Sequence, residues 1–300
     1  MTVIECRELT KSYRKKHALH NLTFSIERNT ITGLIGRNGA GKTTLLKIIA
    51  GFYKQTSGEI LVFGEKPFNN LKVSQNMIFI DDQIIFPPAL SLSDILVEAG
   101  RFYPNWDMTI AKGLFDYFSL DPKQYHQNLS KGMKSTFNAI IGIAARVPLT
   151  IFDEPTTGMD AAVRKDFYRA LLKDYLEHPR TILLSSHHLN EVEDLLEHIL
   201  LIDEGEKRLH MTVDDLKQYA IAVSGPENLI DEWALGKEIL YKKQVGAYGK
   251  YVVLKNDFTD EMLTQAKQKG LQITAVSAED VCMYMTNKRK GGVDDVFSKR

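Results

Sequence analysis

The sequence predicts an α/β protein: a mixed, mostly parallel sheet with helices on both faces, an inserted helical subdomain and a small α+β module at the end. Three observations carry that expectation. Short apolar strands alternate with helical stretches before residue 80 and again after residue 149. A glycine-rich turn, residues 36–41, follows one such strand and opens one such helix. From 211 onward, short strand and helix signals repeat on a scale that fits a separate module of about eighty residues.

In chain order, residues 3–9 and 19–26 read as strands, with Asn21 and 27–29 as turn material. Residues 30–35 form a short apolar strand running into the glycine turn, and 43–50 a helix stopped by Gly51. Strands follow at 59–63 and 77–80. Between Pro87 and Arg146 the character is helical: Ser93 can cap a helix over 94–99, and Trp106, Ile110, Leu114 and Phe118 recur at helical spacing within 107–118. Alternation resumes with a strand at 149–152, a helix over 161–177, a strand at 181–185, a helix over 189–196 and a strand at 199–202. Beyond 211, strands are expected at 219–223, 239–243, 251–255 and 271–276, and helices over 227–234, 260–269 and 278–286. The expected organisation is a domain over 1–210 with its helical subdomain at about 84–146, an accessory domain over 211–286, and a mobile tail over 287–300.

Bulk properties exclude little but exclude it usefully. Apolar residues make up 44% and charged residues 25%, as in ordinary folded domains. Thirty-eight basic residues balance thirty-eight acidic ones, so charge gives no reason to expect nucleic acid as a partner. The two cysteines, Cys6 and Cys282, form no CxxC or Cys/His cluster and fit a reduced, cytosolic chain without a structural metal. No basic start runs into an apolar stretch, so no signal peptide is expected. The longest apolar candidate, 139–152, is broken by Arg146 and Pro148 and is too short to span a bilayer. A membrane role would come through another chain.

The chemistry concentrates in a few motifs. Gly36-Arg37-Asn38-Gly39-Ala40-Gly41-Lys42-Thr43-Thr44 has the form of a phosphate-binding loop. Glycines let backbone N–H groups wrap phosphate oxygens, and the following helix aims its positive end at them. Lys42 then suits the β- and γ-phosphates, and the Thr43 hydroxyl suits Mg²⁺. The apolar strand 149–152 ends in Asp153 and Glu154, at the strand end where ligands bind in such sheets. Asp153 suits Mg²⁺, through water, and Glu154 suits polarising an attacking water. Taken alone, the two acids could instead be loop acids that cap the next helix.

With these residues in hand, the chain resembles the nucleotide-binding subunit of an ATP-binding cassette (ABC) transporter over about residues 2–210. The resemblance implies ATP and Mg²⁺ as cofactors and roles for positions that spacing does not reveal. Tyr13 matches the aromatic residue that stacks on adenine; read alone it is a half-buried strand aromatic. Gln83 matches the hinge glutamine that senses Mg²⁺ and the membrane partner. Leu129-Ser130-Lys131-Gly132-Met133 stands where the family has Leu-Ser-Gly-Gly-Gln. There Ser130 and Gly132 would reach a γ-phosphate held by the opposite subunit. Lys131, Met133 and Thr136 depart from the common pattern, and this form resembles the export-type, multidrug-type branch, including a subgroup tied to acetoin use or to the response to cell-wall antibiotics. Asp160, in Thr157-Gly158-Met159-Asp160, resembles the aspartate of the loop that crosses the dimer interface. His187, after Ser185-Ser186, resembles the switch histidine that contacts the γ-phosphate, in preference to its neighbour His188.

The resemblance implies an ATPase that dimerises around two ATP molecules and energises transport, with a lean to export, by a separate membrane-spanning permease. It implies a cytoplasmic chain held peripherally at the inner face of the cell membrane through that permease, as a homodimer or paired with a related ATPase. Two other readings stay open. One is a soluble regulatory ABC ATPase or ATP-binding module with little turnover, motivated by Lys131 and Met133. The other is an ABC protein acting on ribosomes or DNA, which a single cassette without zinc cysteines or a long insertion argues against. The permease is expected to dock near Gln83 and Ile84-Ile85-Phe86-Pro87-Pro88, where the same apolar residues could instead fill the subdomain core. Residues 277–281, Ser-Ala-Glu-Asp-Val, resemble the end of the small domain appended to many export-type subunits, with subunit contacts, regulation or inert packing as its possible roles.

Overall fold

The computed structural model describes residues 1–14, 16–246 and 248–286. The tail expected over 287–300 lies outside the described residues. The chain divides into two compact units, one over Met1–His210 and one beginning at Met211.

The first unit opens with a long hairpin, β1 (Thr2–Tyr13) and β2 (Lys16–Glu27), antiparallel down to Tyr13 opposite Lys16. Both strands run several residues past the apolar stretches that mark them in the sequence. Cross-strand pairing carries the polar tip, where Ser12 lies opposite His17 with its hydroxyl 2.9 Å from the imidazole Nδ1. Next come β3 (Ile31–Ile35), α1 (Lys42–Ile49), β4 (Ser57–Val62), the single turn α2 (Leu71–Ser74) and β5 (Met77–Ile80). The helical region contains α3 (Leu92–Phe102), α4 (Met108–Tyr117) and α5 (Lys131–Ala144). The unit continues with β6 (Leu149–Asp153), α6 (Ala161–Glu177), β7 (Thr181–Ser186), β8 (His198–Asp203) and β9 (Glu206–Thr212).

Six strands form one sheet in the order β5-β6-β7-β3-β8-β9, and the pairs from β5 to β8 are parallel. A three-stranded sheet, β2-β1-β4, is antiparallel. Every residue of β3, β6 and β7 is buried, which is why these strands read as unbroken apolar runs and not as alternating ones. One core joins the two sheets through α1: Leu9, Leu22 and Ile60 pack with Leu45, Leu46 and Ile49 and with Leu34, Ile151, Leu183 and Leu200.

Two local expectations are corrected. The helix expected at 94–99 begins at Leu92, capped by Ser91 and not by Ser93. Ser91 Oγ accepts from the Asp94 N–H at 3.3 Å, while Asp94 accepts from the Ser91 N–H at 3.0 Å, a reciprocal capping box. The helix expected at 189–196 is instead two 3₁₀ turns, Leu189–Glu191 and Glu193–Leu195. Leu189, Val192 and Leu195 are buried at a spacing of three, which suits three residues per turn, and β-branched Val192 breaks between the turns with φ of −124°.

The helical region is pinned to the rest of the unit by a buried charge cluster. Asp174 of α6 receives Arg180 at 2.7 Å and Arg146, just past α5, at 2.6 Å; Arg146 also reaches Asp107 at 2.7 Å. Arg180 and Asp174 are both nearly fully buried, so each charge depends on the others for compensation.

The second unit contains α7 (Val213–Gln218), β10 (Ala220–Pro226), α8 (Glu227–Trp233), β11 (Ile239–Val245), β12 (Gly249–Lys255), α9 (Asp260–Gln268), β13 (Gln272–Ala275) and α10 (Ala278–Thr286). Its antiparallel sheet has the order β11-β12-β10-β13, and from β10 to β13 the elements follow the β-α-β-β-α-β plan of ferredoxin-like modules. Ile221, Val223, Val252 and Leu254 bury one sheet face against Ile230 of α8 and Ala266 of α9. Tyr284 of α10 stacks on Tyr241 of β11 with centroids 4.4 Å apart.

Candidate functional site

Three adjacent parallel strands end at one edge of the large sheet. Ile35 closes β3 beside Ser186 of β7, and Asp153 closes β6 beside Ser185. This register brings the glycine turn, the two acids and His187 to neighbouring positions, at the strand ends where open α/β sheets bind ligands.

The turn itself depends on glycine at Gly41. Its φ is +104°, in the left-handed region, and a Cβ there would lie 2.6 Å from the Ala18 carbonyl oxygen. Gly41 opens α1, so the first helical N–H groups face the cleft without a side-chain cap. Lys42 is buried, its ammonium donating to the Gly36 carbonyl at 2.8 Å and lying 3.2 Å from Glu154 Oε1. The cleft has a volume of about 600 Å³, within the range of small-molecule sites. Tyr13, Arg37, Asn38, Gly39, Gly41, Lys42, Thr43, Thr44 and Glu154 line it. Gly36 and Ala40 form the backing of the turn, Ala40 being buried in the core.

Behind this surface lies a short chain of hydrogen bonds. Ser185 Oγ donates to Asp153 Oδ1 at 2.6 Å and accepts from the Glu154 N–H at 2.9 Å. Burial pushes the Asp153 carboxyl above its ordinary range; hydrogen bonds from Ser185 and Thr43 pull the other way, and the Glu154 and Asp81 charges add to the rise. Glu154 adopts φ of +49°, a strained conformation for a non-glycine residue and one that recurs at functional positions. His187 Nδ1 lies 3.5 Å from Glu154 Oε1, while the neighbouring His188 N–H donates to Ser186 Oγ at 3.0 Å.

The remaining expected residues lie elsewhere. Gln83 follows β5, its Oε1 accepting from Lys47 Nζ at 3.3 Å. Lys47 also lies 3.7 Å from Asp81. Ser130 caps α5, accepting from the Met133 N–H at 3.3 Å, and Asp160 caps α6, accepting from the N–H groups of Ala162 and Val163 at 2.9 Å. Gly132 lies against the loop before α6, where a Cβ on it would be 2.3 Å from the Gly158 carbonyl oxygen. None of these four is among the residues lining the described cleft. Of the expected docking residues, Ile85 is exposed, whereas Phe86 packs on His126 and Phe137 with centroids 4.9 and 5.9 Å away.

Sequence reasoning missed Lys16, His17, Ala18 and Glu204 as cleft residues. The first three reach it because the hairpin folds them back opposite Tyr13, a pairing with no motif of its own. It also missed Ser185 as the residue joining Asp153 to Glu154, and Lys47 as the partner of Gln83.

A glycine cradle opening a helix, a buried lysine beside it and a strand ending in two carboxylates define a P-loop nucleoside triphosphatase. A family profile described as "ABC transporter" matches residues 19–157. The chain is similar to the ABC transporter ATP-binding protein YtrB of Bacillus subtilis (strain 168), 29% identical over 281 residues that cover 93% of this chain and 96% of that one. It is 30% identical to the bacitracin transport ATP-binding protein BcrA of Bacillus licheniformis over 72% of each chain. Among solved structures, an ATP-binding subunit of an ABC transporter matches with 25% identity and a TM-score of 0.64 over 72% of this chain and 92% of that chain. The dimeric ATP-binding cassette MJ0796 bound to ADP and phosphate shares the fold, with 21% identity and a TM-score of 0.61 over 70% of this chain and 98% of that one. The chain belongs to the ABC transporter family of ATP-binding proteins, as a subunit that binds and hydrolyses ATP to drive transport. No helix among the described residues is long and apolar enough to cross a membrane.

Proposed function

We propose that this chain energises an exporter: two copies, or one copy and a related ATPase, close around two ATP molecules and drive a separate membrane-spanning permease. The chain would lie on the cytoplasmic side, held at the inner face of the membrane by that permease. The observation that carries this reading is the separation of two half-sites within one chain. The phosphate cradle and Glu154 line one cleft, with His187 3.5 Å from Glu154 at its border, whereas Ser130 and Gly132 stand at the start of α5, and neither lines the cleft of its own chain. A helix N-terminus whose capping hydroxyl accepts from Met133 and keeps its own proton to donate suits an anion supplied from outside. Export is favoured by the printed function of one relative, SkfA peptide export.

In this reading Tyr13 stacks on adenine, and the backbone from Gly36 to Thr44 with Lys42 holds the phosphates. Thr43 and Asp153 offer adjacent hard oxygen donors, with Gln83 as a third group, and a buried carboxylate whose proton affinity is raised by burial suits a divalent cation. Mg²⁺ held there would neutralise charge on the phosphates. Glu154 accepts a proton from the attacking water, and His187, beside it, orients that water and the γ-phosphate. Ser130 and Gly132 of the second copy then close the site, with Asp160 in the loop between copies. The contact of Glu154 with both Lys42 and His187 favours turnover over a purely regulatory ATP-binding role.

Glu154→Gln is expected to keep ATP binding, to lose roughly 100- to 1,000-fold in turnover, and to accumulate as a dimer with ATP. Phosphate release and sedimentation of the purified variant test it. Turnover equal to the parent removes Glu154 from its role, and a variant that stays monomeric at saturating ATP rules out the sandwich.

A further inference from the structure

Lys131 occupies the place where the resembled signature has its first glycine, and its charge there works against local stability. It is the first residue of α5, whose first turn contains no acidic side chain and gains a second cation from Lys134. Positive charge at a helix N-terminus opposes the macrodipole. A side chain that breaks a local rule in this way calls for a reason elsewhere in the molecule.

The Lys131 ammonium lies 3.6 Å from the Asp82 carboxylate, one residue before Gln83. The two side chains are 60% and 49% exposed, so their pairing contributes little stability and costs little to open. The same segment is joined to α5 by firmer contacts. Asn138, buried in α5, donates its Nδ2 to the Asp81 carbonyl at 3.2 Å and has its Oδ1 2.9 Å from His126 Nε2. Phe86 packs on Phe137. The ion pair is therefore the labile contact in an otherwise fixed joint between the Gln83 segment and the helix that begins at Lys131.

We propose that Lys131 exchanges anionic partners: Asp82 of its own chain while the two copies are apart, and the triphosphate held by the other copy once they close. The inference rests on the reading in which Ser130 and Gly132 cap the partner's nucleotide. Lys131 lies between those two residues in sequence, so a helix end that approaches a triphosphate brings this ammonium with it. A triphosphate carries several negative charges against the single charge of Asp82, and charge-assisted contacts to phosphate are the stronger kind. Closure then leaves Asp82 without its partner one residue from Gln83, which ties closure of the cap to the segment that contains Gln83. Lys131 then binds the triphosphate as part of the cap and takes no part in the reacting group.

The test uses full-length protein in the Glu154→Gln background and reads the ATP concentration that half-converts monomer to dimer by sedimentation. Lys131→Gln is expected to raise that concentration on the order of tenfold, and Lys131→Arg to restore it. Asp82→Asn, which frees the ammonium in advance, lowers it about threefold. The double variant Lys131→Gln/Asp82→Asn behaves like Lys131→Gln alone. Binding of a fluorescent ATP analogue to the monomer stays at the parental level in all four, because neither residue lines the cleft of its own chain. An unchanged midpoint for Lys131→Gln overturns the inference while leaving the sandwich intact. A Glu154→Gln parent that never dimerises overturns both.

Discussion

The phosphate cleft and the start of α5 are built in opposite ways, and the contrast fits the proposal that each chain holds half of a shared site. In the cleft, charged groups are buried or half-buried and already partnered: Lys42 with the Gly36 carbonyl and Glu154, Asp153 with Ser185, Glu154 with His187. At the start of α5, Ser130 caps its own helix, Lys131 is loosely paired and the first turn carries no acid. The cleft can be assembled by folding alone. The helix end is supported from behind by buried groups, His126, Asn138 and the Gly132–Gly158 contact, but presents its polar front to something the monomer does not supply.

The largest effect is expected where the cleft is most self-contained. Lys42→Ala removes the cation from the phosphate cradle and leaves Glu154 facing His187 alone. Turnover should fall by at least about 100-fold, and ATP binding to the monomer should weaken with it. Phosphate release and equilibrium binding of a fluorescent ATP analogue measure the two losses; a variant that loses neither breaks the account of the cleft.

Gly132→Ala is the matching test at the other half-site. Its Cβ would lie 2.3 Å from the backbone oxygen of Gly158, so the start of α5 or the loop ahead of Asp160 has to shift. Turnover is expected to drop roughly 10- to 100-fold while ATP binding to the monomer is kept. That split is what separates the two regions. If binding and turnover fall together, the helix end is not an independent half-site.

How much of this was legible in the sequence follows from the same contrast. The cleft was legible because its groups sit at strand ends: an unbroken apolar run stops at Asp153, another leads into Gly36, and burial on both faces leaves no other reading of those runs. The caps were legible only in part: the acids offered as caps of the helix after β6 were Asp153 and Glu154, whereas Asp160, seen only through family resemblance, caps it. What escaped was anything set by pairing across the chain. Lys16 and His17 enter the cleft through a hairpin register, Ser185 reaches Asp153 from the adjacent strand, and Lys47 meets Gln83 from a helix thirty-six residues away. The two 3₁₀ turns at 189–195 were read as one helix because a spacing of three and one of 3.6 differ little over so short a stretch. The link between Tyr13, Gln83 or His187 and any role came from family resemblance, since none has a spacing signal of its own.

Ser185→Ala sits behind the cleft and sharpens the comparison further. Loss of its hydroxyl strips a donor from buried Asp153 and an acceptor from the Glu154 N–H, at a cost of about 2 kcal/mol in chemical denaturation. Turnover should fall roughly tenfold through misplacement of Glu154, less than for Lys42→Ala because every charged group remains. Stability loss without any change in turnover would make Ser185 a packing residue only.

The smallest effect belongs to the support of the helix end. Burial, with the Lys134 charge adding to it, holds the His126 imidazole below its ordinary value of 6.5, against the opposing pull of the Asn138 hydrogen bond. The unfolded chain therefore takes up a proton at His126 before the folded chain does. The stability tied to the neutral ring is fully present above pH 6.5 and declines as pH falls below it, by at most about 1.4 kcal/mol per pH unit for one group. His210, held low by burial in the same direction, contributes a second decline of the same sign. Denaturant titrations between neutral and mildly acidic pH should show a shallower slope for His126→Gln than for the parent, with the slope from His210 left in place. Because His126 is packed between α5 and the Gln83 segment, against Phe86 and bonded to Asn138, charging its buried ring should raise the ATP needed to dimerise the Glu154→Gln protein before it weakens ATP binding to the monomer. Loss of monomer binding at the higher pH of the two would place the acid-sensitive weakness in the cleft and reverse the assignment of which region is the more rigid.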